Sequence, residues 1–259
     1  MFTISKERLP ELKNNFTGKK IAVVGDLMLD GYFWGNVNRI SPEAPVPVVE
    51  IDNEFFRFGG AANVALNILK LGGIPCPVGI IGDDSDGKIF KNLLNENDIP
   101  LEGIIVDPSR PTTTKTRVIA NNQHLVRIDK ENKLPVSPEI EKKIINTIKS
   151  NFADFDAFIL EDYNKGVLTE KVISEIVSFA KERNKIVTVD PKFLNFFSYT
   201  GVTVFKPNRK ETEDALRIRI LNDHDLEAAG KILLGNLNAK YVLITLGEGG
   251  IALFEKEKP

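Results

Sequence analysis

The strongest constraint on the fold is a recurring unit: a short apolar, partly β-branched run followed by an amphipathic stretch with helical spacing. Ile21-Ala22-Val23-Val24 ends at Gly25-Asp26 and reads as a buried strand entering a loop. Similar runs stand at residues 78–81, 157–160, 186–189, 202–205 and 241–244. Between most of them apolar residues repeat on one helical face: Ile89, Phe90, Leu93, Leu94; Ile140, Ile144, Ile145, Ile148; Val172, Ile173, Ile176, Val177. Strand-helix alternation predicts an α/β fold with a mainly parallel sheet covered on both faces. Ser137-Pro138 and Thr169-Glu170 supply helix starts where the pattern needs them.

Two segments break the rhythm. Residues 31–58 contain Pro42, Pro45 and Pro47 and then the alternating Val46, Val48 and Ile51, which excludes a helix. Residues 112–129 alternate on both sides of Asn121-Asn122, the pattern of a β-hairpin. Together, as segments 31–58 and 111–130, they read as a small second sheet inserted twice into one domain spanning 1–259. A sheet beside the strand ends of an α/β unit suits a lid, and its exposed apolar edges favour a homodimer formed lid against lid.

Composition narrows the function. The 259 residues carry 34 Lys plus Arg against 36 Asp plus Glu, a net charge of −2 that predicts no general affinity for nucleic acid or anionic membrane. With 42% apolar residues the chain has enough material for a core, which excludes a disordered protein. The single cysteine, Cys76, lies in an apolar run and reads as a buried thiol in a reducing cytoplasm. The uncharged stretch 71–82 is too short to span a bilayer, and the charged N-terminus lacks the apolar segment of an export signal.

Several motifs carry chemistry. Gly25-Asp26-Leu27-Met28-Leu29-Asp30 places two carboxylates in a loop after the first strand, where α/β proteins bind ligands and a carboxylate can accept sugar hydroxyl protons. An Asp-rich turn explains the same residues. No G-x-G-x-x-G follows the strand, which disfavours a dinucleotide fold. Gly59-Gly60-Ala61-Ala62-Asn63 opens a small-residue helix whose free amides, with Asn63 and Asn67 on one face, could meet a polar ligand; tight packing around a buried Asn is the competing explanation.

Gly82 to Ile89 has the glycine and lysine spacing of a phosphate-binding loop. Ile89 replaces the metal-binding hydroxyl, however, and three aspartates would repel phosphate, so the segment is rejected as one. Asn208-Arg209-Lys210-Glu211 opens a helix that could position nucleotide phosphates and a hydrated Mg²⁺, or be an ordinary solvated helix start. Thr245 to Gly250 is a glycine-rich turn that hairpin geometry alone also explains. His124 in the hairpin and His224 in a polar loop find too few partners for a zinc site or a Ser-His-Asp triad.

In this order, Gly25-Asp26, Gly59 to Asn63, Asp190-Pro191-Lys192, Asn208 to Glu211 and Thr245 to Gly250 resemble the ribokinase-like (PfkB) carbohydrate kinases, from about Lys20 onward. Arg39-Ile40-Ser41-Pro42-Glu43-Ala44-Pro45-Val46-Pro47-Val48 and Asp162-Tyr163-Asn164-Lys165-Gly166 resemble the branch of that family acting on D-glycero-β-D-manno-heptose 7-phosphate. The resemblance implies phosphorylation of the anomeric hydroxyl by Mg-ATP on the route to ADP-heptose for lipopolysaccharide. It implies that Asp30, Gly59, Gly60 and Asn63 hold sugar hydroxyls, with Asp190 also on the substrate side. Asn208, Arg209, Lys210, Glu211, Thr245 and Gly247 would serve ATP, with Glu211 toward Mg²⁺. Lys165, Arg117 and Lys192 are the cation candidates for the sugar phosphate, ahead of Arg127.

The family's general base and anion hole lie in a later Asp-Thr-x-Gly-Ala-Gly-Asp segment, and no Gly-Ala-Gly-Asp occurs here. The base is therefore expected beyond Pro259. The chain is expected to be a C-terminally truncated kinase, inactive alone and without the nucleotidyltransferase domain often fused to this branch. A non-catalytic sugar-phosphate-binding module and another ribokinase-like sugar kinase are the alternatives.

Overall fold

The computed structural model describes residues 8–256. The part of the export reading that rests on residues 1–7 lies outside the described residues, as does the base expected beyond Pro259. In chain order the elements are α1 (Arg8–Phe16), β1 (Lys20–Gly25), β2 (Leu27–Ile40), β3 (Pro47–Gly60), α2 (Ala61–Lys70), β4 (Ile74–Ile81), α3 (Ser85–Glu96), β5 (Ile104–Val106), β6 (Thr114–Ala120) and β7 (Gln123–Lys130). Then come α4 (Pro138–Asn151), β8 (Ala157–Glu161), α5 (Glu170–Glu182), β9 (Ile186–Asp190), β10 (Val204–Phe205), α6 (Arg209–Leu216), α7 (Asp223–Leu237), β11 (Tyr241–Thr245) and β12 (Ile251–Glu255).

Eight strands form the main sheet in the order β12-β11-β10-β9-β8-β1-β4-β5, parallel except for the antiparallel β11–β12 pair. Alternate residues of β1 enter different cores: Ala22 and Val24 join the one packed by α4, α5 and α7, while Val23 joins the one packed by α2 and α3. This is the two-sided burial that makes β1 read as a continuous apolar run. The periodic faces pack as the spacing predicts. Ile140, Ile144, Ile145 and Ile148 of α4 and Val172, Ile173, Ile176 and Val177 of α5 are all buried, each contributing about 1.5–3 kcal/mol. Ser137 and Thr169 cap these helices by accepting from the Ile140 and Val172 amides, with Pro138 in the first turn.

Pro75 and Pro77 sit inside β4, whose outer neighbour β5 pairs only with Gly79–Ile81, so the missing N–H groups fall where β4 is an edge. The strand expected at 202–205 shortens to Val204–Phe205, because Thr203 is drawn into side-chain and backbone hydrogen bonds with Val187. His224 lies in the first turn of α7, capped by Asn222, rather than in a loop. Cys76 is buried, which pushes its thiol up to about 12.

The second sheet has the order β3-β2-β6-β7. It reaches past the expected 31–58 segment at both ends, because β2 starts at Leu27 and β3 runs to Gly60. β6 and β7 meet at Asn121 and Asn122, whose φ angles of 51° and 63° make the left-handed two-residue hairpin turn. Asp84 locks the base of this lid to α3: its carboxylate accepts from the Gly87 amide, the Thr112 amide and hydroxyl, and Lys130 Nζ. These donors hold the Asp84 carboxyl down at about 2 against the opposing cost of burial. The start of α3 is thus filled by a carboxylate and has no place for phosphate. Among the described residues no helix is long and apolar enough to cross a membrane.

Candidate active site

The carboxyl ends of β1, β8, β9, β10 and β11 line one edge of the main sheet, where open α/β sheets bind ligands. The expected loop carboxylates separate here. Asp26 alone occupies the turn between β1 and β2, and Asp30 stands inside β2 on the lid. Asp26 is buried and accepts from the Tyr163, Lys165 and Val167 amides at 2.8, 3.0 and 3.3 Å. Burial pushes its carboxyl up to about 6 despite those donors. The Asp26 carboxylate therefore fixes the 163–167 loop and is not open to a ligand.

Asp30 pairs with Arg117 at 2.8 Å across the parallel β2–β6 register. Gly59 lies beside it: a Cβ there would meet Asp30 Oδ2 at 2.9 Å, and one on Gly60 would strike the Asp26 carbonyl at 2.2 Å. Gly60 also has φ +56°, so any larger residue is strained. The two glycines close β3, and Gly60 is at the same time the N-cap of α2, which starts at Ala61 as expected. Asn63, in the first turn, and Asn67 are both exposed rather than buried, so Asn63 faces solvent.

The sequence did not single out Glu161, which stands with Asp190 and Tyr163 between the two sides. Glu161, at the end of β8, is buried opposite Asp190 of β9. Burial, then the Asp190 charge, pushes its carboxyl up to about 7, with Lys206 and Lys192 pulling the other way. Lys206 pairs with Asp190 at 2.8 Å. Tyr163, pushed up to about 12 by burial and by Glu161, has the Lys115 and Lys192 ammonium groups 5.9 and 5.7 Å from its ring centroid. A carboxylate ending an apolar strand was the one available signal for Glu161.

On the other side, Asn208 and Glu211 form a capping box at the start of α6. Asn208 Oδ1 accepts from the Glu211 amide, and Glu211 accepts from the Asn208 amide, both at 2.8 Å. The second Glu211 oxygen accepts from Lys192 Nζ. Burial is the largest single influence on Lys192 and lowers its pKa, but the Glu211 hydrogen bond and charge, with the Asp190 and Glu161 charges, together raise it, so the ammonium form is favoured. With both oxygens engaged, Glu211 suits a metal through that metal's water rather than by direct ligation. Thr245 bridges to Asn208, and a groove of about 680 Å³ lies between them, lined by Arg209, Lys210, Glu213, Arg219, Leu246 and Gly247 among others. Exposed Arg209 and Lys210 at a helix start, with a hydroxyl opposite, suit a polyphosphate.

The expected residues therefore fall into two groups joined by Lys192. Lys165 stands apart, paired with Glu131 at 2.7 Å, and Arg127 is held by Asp129 on the outer strand.

A parallel sheet covered on both faces, a β-lid beside its carboxyl edge and a capped helix facing a polar groove define a ribokinase-like fold. The model of the pfkB family of carbohydrate kinases matches residues 18–259, and the chain belongs to that family. Relatives named bifunctional protein HldE are 40% identical over 240 residues in Helicobacter acinonychis and 43% identical over 232 residues in Geobacter sulfurreducens. These matches cover 93% and 90% of this chain but 52% and 47% of the relatives, so the chain spans about half their length. Arabidopsis thaliana ribokinase complexed with ribose and ATP superposes with a TM-score of 0.67 at 17% identity, covering 94% of this chain and 77% of that one. Escherichia coli phosphofructokinase-2 in complex with fructose-6-phosphate gives 0.70 at 16%, covering 93% and 78%.

Proposed function

We infer that this chain is the kinase part of an enzyme that uses Mg-ATP to phosphorylate the anomeric hydroxyl of D-glycero-β-D-manno-heptose 7-phosphate, giving the 1,7-bisphosphate for lipopolysaccharide assembly. The observation that carries this reading is the Asn208–Glu211–Lys192–Tyr163–Lys115 chain of contacts, which brings a helix-start groove and the lid together in a family of carbohydrate kinases. The 40–43% identity to HldE proteins and the lid sequence from Arg39 to Val48 support heptose over other sugars.

Asp30, Gly59, Gly60 and Asn63 would hold the sugar hydroxyls, and Asp190 the reacting end. Asn208 to Lys210, Thr245 and Gly247 would hold ATP. Mg²⁺ would be met by Glu211 through water and would neutralise phosphate charge. In the transfer, the sugar oxygen bonds to the γ-phosphorus as the bridge to ADP breaks, and the hydroxyl proton passes to a base. Among these 259 residues no Gly-Ala-Gly-Asp occurs, and no alternative base is assigned to Asp26, whose carboxylate is engaged with three amides. The chain alone is therefore expected to bind both substrates without turnover, as a single domain acting in the cytoplasm and pairing through its lid. The test is ADP release with heptose 7-phosphate, fructose 6-phosphate and ribose, by this chain and by a version extended by its own reading frame. Preference for fructose 6-phosphate or ribose overturns the heptose reading, and turnover by the short chain overturns the missing base.

A further inference from the structure

The lid's registers put six charged side chains on one face. Register partners share a face of a sheet and alternate residues point to opposite faces. Arg57, Asp30, Lys115 and Asp129 form one row across β3, β2, β6 and β7, and Phe55, Tyr32, Arg117 and Arg127 form the next. Lys115 of the first row reaches Tyr163, so this face looks onto the sheet edge that carries the site. The opposite face carries Leu29, Phe58 and Thr114, all buried, and Phe58 packs edge-on against Phe90 of α3.

Four cations and two carboxylates share the site face, and the pairing among them is uneven. Arg117 takes Asp30, and Arg127 takes Asp129 through two hydrogen bonds of 2.8 and 2.9 Å. Arg57 and Lys115 have no carboxylate at salt-bridge distance among the described residues. Their contacts are aromatic: Arg57 lies 5.7 and 5.2 Å from the centroids of Tyr32 and Phe55, and Lys115 lies 5.9 Å from that of Tyr163. Arg117 shares the Tyr32 ring at 5.2 Å. Two cations without a salt-bridge partner beside two paired arginines, all on one face, with Asp129 acting on Lys115 only at longer range, make a place for a dianion. The rings lie beside the charged heads themselves and orient them without neutralising them.

Resting on the kinase reading above, we propose that Arg57 and Lys115 hold the phosphate that the sugar substrate already carries, with Arg117 as the residue shared between that phosphate and Asp30. The substrate would lie with its hydroxyls on Asp30 and its phosphomonoester along the lid, away from the groove at α6. Lys165 has no part in this, since its ammonium is committed to Glu131.

The experiment is calorimetry on the 259-residue chain and its Arg57→Gln and Lys115→Gln variants. Heptose 7-phosphate, fructose 6-phosphate, both unphosphorylated sugars and a non-hydrolysable ATP analogue with Mg²⁺ are titrated separately. Loss of one charged hydrogen bond predicts about tenfold or greater weakening toward the phosphorylated sugar in each variant. Affinity for the unphosphorylated sugar and for the nucleotide should not change. If fructose 6-phosphate binds and heptose 7-phosphate does not, the heptose reading fails while the same selective loss keeps the phosphate site. Weakening confined to the nucleotide, unchanged sugar-phosphate affinity in a variant with wild-type melting, or a wild type indifferent to the sugar's phosphate would each overturn the proposal. Lys115→Gln leaves the Tyr32–Phe55 stack untouched and decides the matter should Arg57→Gln fail to fold.

Discussion

Lys192 Nζ donates to the Glu211 carboxylate while standing 5.7 Å from the ring centroid of Tyr163, so one side chain touches both halves of the site. Lys192→Met should weaken the nucleotide, through a Glu211 left without its cation, and the sugar phosphate, through a repositioned Tyr163. A half-buried charged contact of this kind is worth about 1.5–3 kcal/mol, so each ligand should lose about tenfold or more. Titrations of both ligands check it, and loss confined to one of them would show that Lys192 serves one half alone.

Asp30→Ala should weaken sugar binding by about tenfold and leave the ATP analogue unaffected, because it removes a charged acceptor and leaves Arg117 without its partner at 2.8 Å. Asp30→Asn keeps an acceptor oxygen and should lose less. Equal affinity of wild type and the alanine variant would take Asp30 out of the site.

What the sequence made legible was whatever local pattern decides. The apolar runs and the helical faces emerged as strands and buried helices because each needs only a few neighbouring residues to state its period. Asp30 was misplaced for the opposite reason. The turn after β1 needs only Asp26, whose carboxylate is held by amides at residues 163–167, so β2 can begin at once. Nothing near residue 26 announces those partners. The charged lid face stayed hidden because it depends on the parallel register of Asp30 with Lys115, which no local alternation specifies. The helix start at Asn208 to Glu211 was legible, since the residues that make it lie within four positions of one another; the capping box itself emerged only in the structure.

Glu161 makes the chain's stability pH-dependent. Its carboxyl titrates near 7 when folded against an ordinary value of 4.5, so between those pH values the folded state holds a proton that the unfolded state releases. Its contribution is fully present below about pH 4.5 and is lost as pH rises through about 7. Glu161→Gln cannot ionise. The variant should therefore gain on the wild type by on the order of 1–3 kcal/mol between pH 5 and pH 8. Urea unfolding of both proteins at the two pH values measures the difference, and a gap independent of pH would mean that Glu161 is charged throughout.

Asn208→Ala removes the acceptor for the Glu211 amide and loosens the capping box that shapes the groove. Caps of this kind contribute about 1 kcal/mol, so the variant should melt a few degrees lower and bind the ATP analogue more weakly. Asn208→Asp keeps the cap and should restore the melting temperature but not the affinity, since it adds a negative charge facing phosphate. A variant with lowered stability and unchanged nucleotide binding would leave Asn208 with a structural role only.

The lid carries its own prediction about assembly. β7 is an edge strand exposed along its whole length, and on the face away from the site it presents Val126 and Ile128 at 51% and 54% exposure. The lid's far end adds Ile40 and Val46 at 60% and 51%. Unpaired edge amides beside exposed β-branched residues are a template for another strand, and closed pairing of two copies is the simplest way to cover them. Sedimentation of the chain should therefore give a dimer. Val126→Glu with Ile128→Lys should convert it to a monomer without lowering its melting temperature below that of diluted wild type, because neither side chain enters a core. Ligand affinities should change little, since the charged site face is the opposite one. A wild-type chain that remains monomeric at high concentration, or a dimer indifferent to both substitutions, would place any assembly surface elsewhere than on this lid.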